Sequence, residues 1–389
     1  MEYIYIDESF PDVKYNEPSL FTDILFNGDS CNFNNLQVFK DDINELFNII
    51  VELSSRSLFT FSIYNYSDES PILLNDSIIT SLKTCKLIKL HDSPLNNLSV
   101  NNDGSLYLTS GNDNAIYIYS IKQNEIIRHL VNRKYGCDKA IFTHHTNAIL
   151  CASKTDYRIM YWCTHNNQIL YSFLGHSDLI TDLSMNPFND LFISTSNDKT
   201  SRLWDLNQKK CLCIFQDSQC AIFDNSGKVL ASVTFNLNKE NERYENFINL
   251  YNIEKPETIN ENNKPFDVFS IKSSGFIKKM KFTNNGDYLI SITDNYLFII
   301  DAVEGKIIHE MEINDEINTF DVTPDGKYIG LACASGNVLI YSIEGKLVKT
   351  LEFHTKNCEC LAFNPRYFIM ASADTNLVFW IPGEKKQQL

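Results

Sequence analysis

The 389-residue sequence predicts an all-β fold, a closed propeller of about seven blades, and three observations carry that prediction. Turn aspartates recur at a steady interval, 43 residues from Asp113 to Asp156 and 42 from Asp156 to Asp198. The chain has three tryptophans, and Trp162, Trp204 and Trp380 each stand six residues after an aspartate, Asp156, Asp198 and Asp374. Short apolar segments split by polar turns fill each period, as in "FDVTPDGKYIGLACA" over 320–334. A repeat of about 40–45 residues carrying four short strands is one propeller blade.

Taken in order, residues 1–77 form an acidic, Asn-rich N-terminal extension outside the period. Residues 1–75 hold 13 acidic and 3 basic residues, a composition expected to be partly disordered. Within it, "DDINELFNIIVEL" (41–53) reads as a short helix and "LFTFSIYNY" (58–66) as a strand. The propeller domain is expected over 78–383 and opens with a strand-like "IITSLKTCKLIKL" (78–90). Blades follow near 91–130, 138–173, 176–216, 217–255, 276–313, 316–352 and 354–382. The last blade runs out of chain soon after Trp380, so the strand at 78–90 is expected to complete it. That pairing would join the two ends and remove two open sheet edges. In the third blade, Phe188, Leu191, Ile193, Leu203, Leu212 and Ile214 supply the apolar alternation of half-buried strands. In the fourth, "FNLNKENERYEN" (235–246) reads as a polar loop interrupting a strand pair, and "EKPETINENNKP" (254–265) as another. Residues 384–389 are a C-terminal tail.

The most informative stretch is "GHSDLITDLSMNPFNDLFISTSNDKTSRLWDL", 175–206, where Trp204 lies 28 residues after His176, 10 after Ser194 and 6 after Asp198. The same spacings relate His91, Thr109, Asp113 and Tyr119, with Thr for Ser and Tyr for Trp. Asp156 with Trp162, and Asp374 with Trp380, repeat the last step of the pattern. A His, a Ser and an Asp held together could be a hydrolytic triad, but that reading needs an exposed nucleophile and an oxyanion site. No Gly-x-Ser-x-Gly surrounds Ser194, and the pattern recurs where no second active site is expected. The sequence therefore favours a structural clasp. The turn aspartate accepts backbone N–H groups and the histidine proton, and the serine hydroxyl links the histidine to the tryptophan indole.

A formal net charge of −15 argues against direct contact with nucleic acid or an anionic membrane. The N-terminal "MEYIYIDESF" lacks a basic n-region and an apolar h-region, so an intracellular chain with thiol cysteines is expected. None of the eleven cysteines shows Cys-x-x-Cys spacing, and Cys211/Cys213 and Cys358/Cys360 read as core thiols on one strand face. His144 and His145 are adjacent, so on a strand they would face opposite ways and share no metal. No catalytic set, metal or cofactor is expected.

Three stretches, "RKYGCDKAIFTHHTNAI" (133–149), the 175–206 stretch and "LAFNPRYFIMASADTNLVFWIP" (361–382), resemble the WD repeat-containing protein 82 family. The resemblance covers about 78–383, is weaker at 217–313, and has no counterpart for 1–75. It implies a seven-bladed WD-repeat β-propeller that acts as a non-catalytic scaffold subunit of a nuclear chromatin and transcription complex. The family is the shared propeller subunit of the COMPASS-type histone lysine methyltransferase complex and of a nuclear phosphatase complex tied to transcription termination and RNA 3′-end processing. The implied partners are a SET-domain methyltransferase complex, phosphatase-targeting and 3′-end-processing subunits, and RNA polymerase II bearing a phosphorylated C-terminal repeat. The propeller itself would be a monomer within that hetero-complex. A rival role is substrate adaptor of a cullin-type ubiquitin ligase, whose propellers often carry Trp-Asp-x-Arg; here "WDLN" puts Asn207 in the Arg position. "NRKYG" supplies Arg133 and Lys134 where other blades carry the loop histidine. They read either as solvated loop cations or as contacts to an acidic or phosphorylated partner.

Overall fold

Seven small sheets, each built on four antiparallel strands, stand side by side around a central channel. The computed structural model describes residues 74–383 except 146, 239–242, 255–263 and 274, together with the strand Ile4–Tyr5. Blades one to six span 95–131, 140–173, 180–216, 220–273, 279–312 and 317–352. Blade seven takes three strands from 360–382 and its fourth, outermost strand from Leu82–Ile88. The innermost strands meet at one mouth of the channel, lined among others by Asn97, Lys139, Asp182, Cys220, Lys279 and Cys360.

The closing strand pairs antiparallel with Leu377–Pro382, in register from Leu82 opposite Pro382 to Ile88 opposite Leu377. It is shorter than the 78–90 expected. Asp76–Thr80 is instead a one-turn helix, capped by the Asn75 side chain, which accepts from Ile78 N. The Ile78-Ile79 pair looks like strand, but the cap fixes the turn and sends Ile79 into the core between blades six and seven. There Leu74, Ile79 and Leu82 pack with Tyr328, Leu351 and Trp380. Tyr328 donates its hydroxyl to Asp76 Oδ1 at 2.8 Å, and Lys349 Nζ donates to the carbonyls of Thr80 and Leu82.

Middle strands are buried on both faces, because each blade is sandwiched between two others. Leu191–Ser196 and Tyr328–Cys333 are buried throughout, so the anticipated alternation disappears there. It survives on outer strands such as Asp267–Ser273. Leu191, Ile193, Leu203 and Leu212 join the core, whereas Phe188 and Ile214 do not. Phe188 lies in the turn whose backbone is capped by the Asn186 side chain. Ile214 sits on an outer strand with no further blade strand to cover it. Each fully buried aliphatic or aromatic side chain contributes roughly 1.5–3 kcal/mol.

Blade four departs from the expected plan. Val229–Asn238 and Arg243–Asn252 form a long hairpin, paired from Val229 opposite Asn252 to Asn238 opposite Arg243. Most of 235–246 is therefore strand rather than loop: Asn236 is exposed, Asn246 is buried with its side chain bonded to Ser273, Gly275 and Ile277, and Phe235, Tyr244 and Phe276 pack with centroids 5.4–6.2 Å apart. The blade also ends later than 255, with Asp267–Ser273 as its outer strand. The expected helix at 41–53, strand at 58–66 and tail at 384–389 lie outside the described residues.

The turns between first and second strands lie at the other end of the blades and tie each sheet to its neighbour. Asn364 donates to Gly104 O, His144 Nε2 to Asn186 O, Asn186 to Gly227 O, and Asn284 to Pro324 O, at 2.7–3.0 Å. His144 thus links blades two and three, while His145 faces solvent.

Candidate functional site

The recurrent clasp is complete in blade three. His176 comes from the connector entering the blade, Ser194 from its second strand, Asp198 from the next turn and Trp204 from its third strand. Donor chemistry fixes the order of the bonds. Indole N–H can only donate and carboxylate can only accept. Trp204 Nε1 donates to Ser194 Oγ at 2.8 Å, and the hydroxyl in turn donates to His176 Nε2 at 2.7 Å. The remaining imidazole proton, on Nδ1, goes to Asp198 Oδ2 at 2.8 Å. Asp198 also accepts from Ser177 N, Thr200 N and the Thr200 hydroxyl at 2.7–3.1 Å. Gly175 precedes the histidine because a Cβ there would meet the Arg202 guanidinium and the Trp204 ring.

Electrostatics agree with this polarity. Burial lowers the His176 pKa more than Asp198 raises it, so the ring is neutral with one proton, as the chain of bonds requires. Burial works to raise the Asp198 carboxyl, but hydrogen bonds from Thr200, His176 and Ser177 N outweigh it and hold the group at about 2. The order Ser–His–Asp is that of a hydrolytic triad, yet Ser194 is fully buried and its oxygen is already taken by an indole. No substrate carbonyl can reach it in this geometry.

Blade seven builds the same relay. Trp380 Nε1 donates to Ser372 Oγ at 2.8 Å, Ser372 lies 2.7 Å from His354 Nε2, and His354 Nδ1 stands 3.4 Å from Asp374. His354 and Ser372 were not singled out from sequence. The signal was present in the 18-residue step from His to Ser, shared by His91–Thr109, His176–Ser194 and His354–Ser372. It was hidden because the following turn is two residues shorter, with Asp374 two rather than four residues after the serine.

Blade one keeps half of the set. His91 bonds Asp113 at 2.9 Å and Thr109 at 3.0 Å, but Tyr119 does not reach Thr109. Its hydroxyl points outward to Asn124 Oδ1 at 2.5 Å and takes Lys86 Nζ at 3.2 Å. The phenol is longer than an indole N–H, and the buried Lys86 of the closing strand supplies the partner. Blade two has no clasp. Asp156 pairs with Arg158, and Trp162 Nε1 donates to Asn167 Oδ1 at 3.1 Å. The register that sets Ser194 opposite Arg202 in blade three sets Cys151 opposite Met160 here, so the clasp serine has no counterpart. The Tyr135 backbone carbonyl accepts from Ser153 Oγ at 2.8 Å and Lys154 N at 3.0 Å, as the Asp178 carbonyl accepts from Ser196 Oγ in blade three.

The connector into blade two carries the cationic loop anticipated from sequence. Arg133 and Lys134 are exposed in the connector between blades one and two. Lys134 Nζ lies 5.0 Å and Arg158 Cζ 4.1 Å from the centroid of the Tyr135 ring. Lys154 Nζ crosses to Asn112 Oδ1 at 2.9 Å and Gly111 O at 3.2 Å. The loop backbone is held by Asn132, fully buried, whose side chain accepts from Tyr135 N. Cationic side chains on a rigid loop with an aromatic floor can take up an anionic partner group.

The ten described cysteines are free thiols, with Cys213, Cys358 and Cys360 buried and Cys211 half-buried. Among the described residues, no three His, Cys, Asp or Glu side chains converge as a metal site.

The WD domain, G-beta repeat family matches residues 81–120, 167–205 and 345–380. These are the three blades that hold His91, His176 and His354. Over 317 residues the chain is 32% identical to COMPASS component SWD2 of Saccharomyces cerevisiae, covering 75% of this chain and 92% of that protein. It is 29% identical to WD repeat-containing protein 82 of Drosophila melanogaster, covering 81% and 99%. It is 25% identical to Set1 complex component swd2 of Schizosaccharomyces pombe, covering 78% and 97%.

Proposed function

The chain belongs to the WD-repeat family of COMPASS component SWD2 and WD repeat-containing protein 82, and on that footing we propose that it is a non-catalytic scaffold subunit of a nuclear chromatin and transcription complex. One observation carries the reading. The likeness to COMPASS component SWD2 runs over nine-tenths of that protein's length, so it belongs to the whole ring and not to isolated repeats. A rigid ring of loops is a platform onto which partner sites are grafted. The triad-like constellations of blades three and seven are sealed inside their blades, which favours scaffolding over catalysis.

The complex proposed is of the Set1/COMPASS type, with a SET-domain histone methyltransferase as the principal partner. Phosphatase-targeting and 3′-end-processing subunits are the second set. Affinity purification of the tagged full chain from nuclear extract tests this. Recovery of a SET-domain methyltransferase or a phosphatase-targeting subunit is expected. A cytoplasmic chain whose partners are cullin-ligase components would overturn it.

Arg133 and Lys134 are proposed to hold an acidic or phosphorylated partner segment, such as the phosphorylated C-terminal repeat of RNA polymerase II. The support is their exposure on a rigid connector with the Tyr135 ring beneath. Charge-assisted contacts contribute ~1.5–3 kcal/mol when partly desolvated and far less in water. The double variant R133E/K134E is therefore expected to weaken a phosphorylated repeat peptide at least about tenfold, more at low salt than at high. Its melting temperature should stay near wild type, since neither side chain enters a clasp. Equal affinity would return both residues to the class of solvated loop cations.

A further inference from the structure

Four charged side chains stand where the innermost strands enter the mouth of the central channel: Lys139 in blade two, Asp182 in blade three, Lys279 in blade five and Glu359 in blade seven. The innermost strands adjoin in blade order and the seventh meets the first, so these signs alternate around the ring. The two lysines stand three blades apart, and so do the two carboxylates. Blades one, four and six add the neutral Asn97, Gln219 and Thr319 to the same mouth.

Among the described residues, none of the four is in an ion pair. The lysines beside them are: Lys278 pairs with Asp294 and Glu316, and Lys281 with Asp321. Lys139 Nζ donates to Asn96 O at 2.7 Å and Lys279 Nζ to Thr319 Oγ1 at 2.9 Å, so each ammonium keeps two of its three donors. Glu359 accepts only from the Asn357 side chain at 3.2 Å, and Asp182 only from Leu183 N at 3.0 Å. Lys139, Asp182 and Lys279 are half-buried, where charges act more strongly than in open water. Their fields overlap on the channel wall. Burial pushes the Cys360 thiol up to about 12 while Lys139 pulls it down, Glu359 pushes it up and Lys279 pulls it down. At Cys220, burial and then Asp182 push up, and Lys279 pulls down.

From this arrangement we infer that the channel mouth is a docking site for the tip of a partner protein's loop that carries a basic and an acidic residue side by side. A lone ion of either sign on the channel axis gains little from such a ring, because attraction to one pair is offset by repulsion from the other. A segment bearing both signs gains from both, its carboxylate at a lysine and its cation at the next carboxylate round the ring. Size agrees with that occupant. The cavity holds about 150 Å³, against roughly 300–1,000 Å³ for pockets that take drug-sized ligands, so it suits one or two side chains rather than a nucleotide or a cofactor. The inference is independent of the complex proposed above and of Arg133 and Lys134.

Titration of the full chain with three capped tetrapeptides, followed by ligand-observed NMR, tests it. Gly-Lys-Asp-Gly is expected to bind with Kd on the order of 1–10 mM, at least about fivefold more tightly than Gly-Asp-Asp-Gly or Gly-Lys-Lys-Gly. D182N/E359Q keeps the shape of both side chains and the oxygens that Leu183 N and Asn357 use. It should abolish that preference and favour Gly-Asp-Asp-Gly, while K139Q/K279Q should favour Gly-Lys-Lys-Gly. Melting temperatures report whether the lysine variant, which loses two links between blades, still folds; if it does not, D182N/E359Q decides alone. Wild-type protein that binds Gly-Asp-Asp-Gly as well as Gly-Lys-Asp-Gly would make the mouth a plain anion site and overturn the proposal. Binding unchanged in D182N/E359Q would put the peptide elsewhere on the surface, and no binding of any of the three would leave the mouth without this ligand; either result overturns it too.

Discussion

At the scale of single residues, the same four positions carry different energies in different blades, and substitution should separate them. Asp198→Ala in blade three leaves His176 Nδ1–H, two backbone N–H groups and the Thr200 hydroxyl without their acceptor. Leaving buried donors unpaired costs on the order of 1–3 kcal/mol. Asp156→Ala in blade two removes a carboxylate one-third exposed that bonds chiefly to Arg158, and should cost well under 1 kcal/mol. Chemical denaturation of the two variants checks this, and equal losses would contradict the assigned geometry. Acid should act through the same residues. His176 is held neutral below its ordinary pKa, so the unfolded chain takes up a proton that the folded one refuses, and stability is lost as pH falls below about 6.5. Asp198 titrates at about 2, so its contribution is full above about 4 and disappears as pH falls through 2. The melting temperature should drop from pH 7 to 5 and again below 4. His176→Gln should shrink the upper step without removing it, because burial also holds His129 at about 4.

At the scale of elements, blade number, ring closure and the blade-three clasp were legible because each leaves a periodic mark in polar and aromatic residues. What escaped has physical reasons. Blade two looks like a clasp blade at Asp156 and Trp162, but Cys151 stands at the serine's place in the strand register, a correspondence fixed only once the length of the intervening turn is known. Blade seven hides its serine behind a shortened turn. The polar stretch at 235–246 reads as a loop because Asn, Lys, Glu and Arg fill its middle, yet the hairpin register continues out to Asn238 opposite Arg243. The Ile78-Ile79 pair, with high strand propensity, is overridden by the Asn75 cap and by burial of Ile79. That docking should be worth measuring. Ile79→Ala empties a fully buried site between blades six and seven, at an expected cost of ~2–5 kcal/mol. Ser77→Ala on the exposed face of the same turn should cost little, and comparable losses would mean that the helix is not docked.

At the scale of the whole molecule, closure of the ring decides what the propeller can do. The strand Leu82–Ile88 ends 289 residues before its partner begins at Leu377, and Lys86 adds a buried link from that strand to blade one. Opening this seam would leave the edges of Leu82–Ile88 and Leu377–Pro382 unpaired, and exposed sheet edges promote aggregation. The charge distribution acts at the same scale. The chain carries a net charge of −15, ten of it in residues 1–75, and loops such as 132–139 are local cationic exceptions. Central is the proposal that this ring works as one subunit of a larger chromatin complex. Native size-exclusion chromatography of nuclear extract, assayed for this chain and for histone lysine methyltransferase activity, tests that most directly. The account predicts that a substantial fraction of the 44.8 kDa chain elutes far above its own mass, together with the activity. Elution of all of it at the monomer position, with the activity elsewhere, would contradict it.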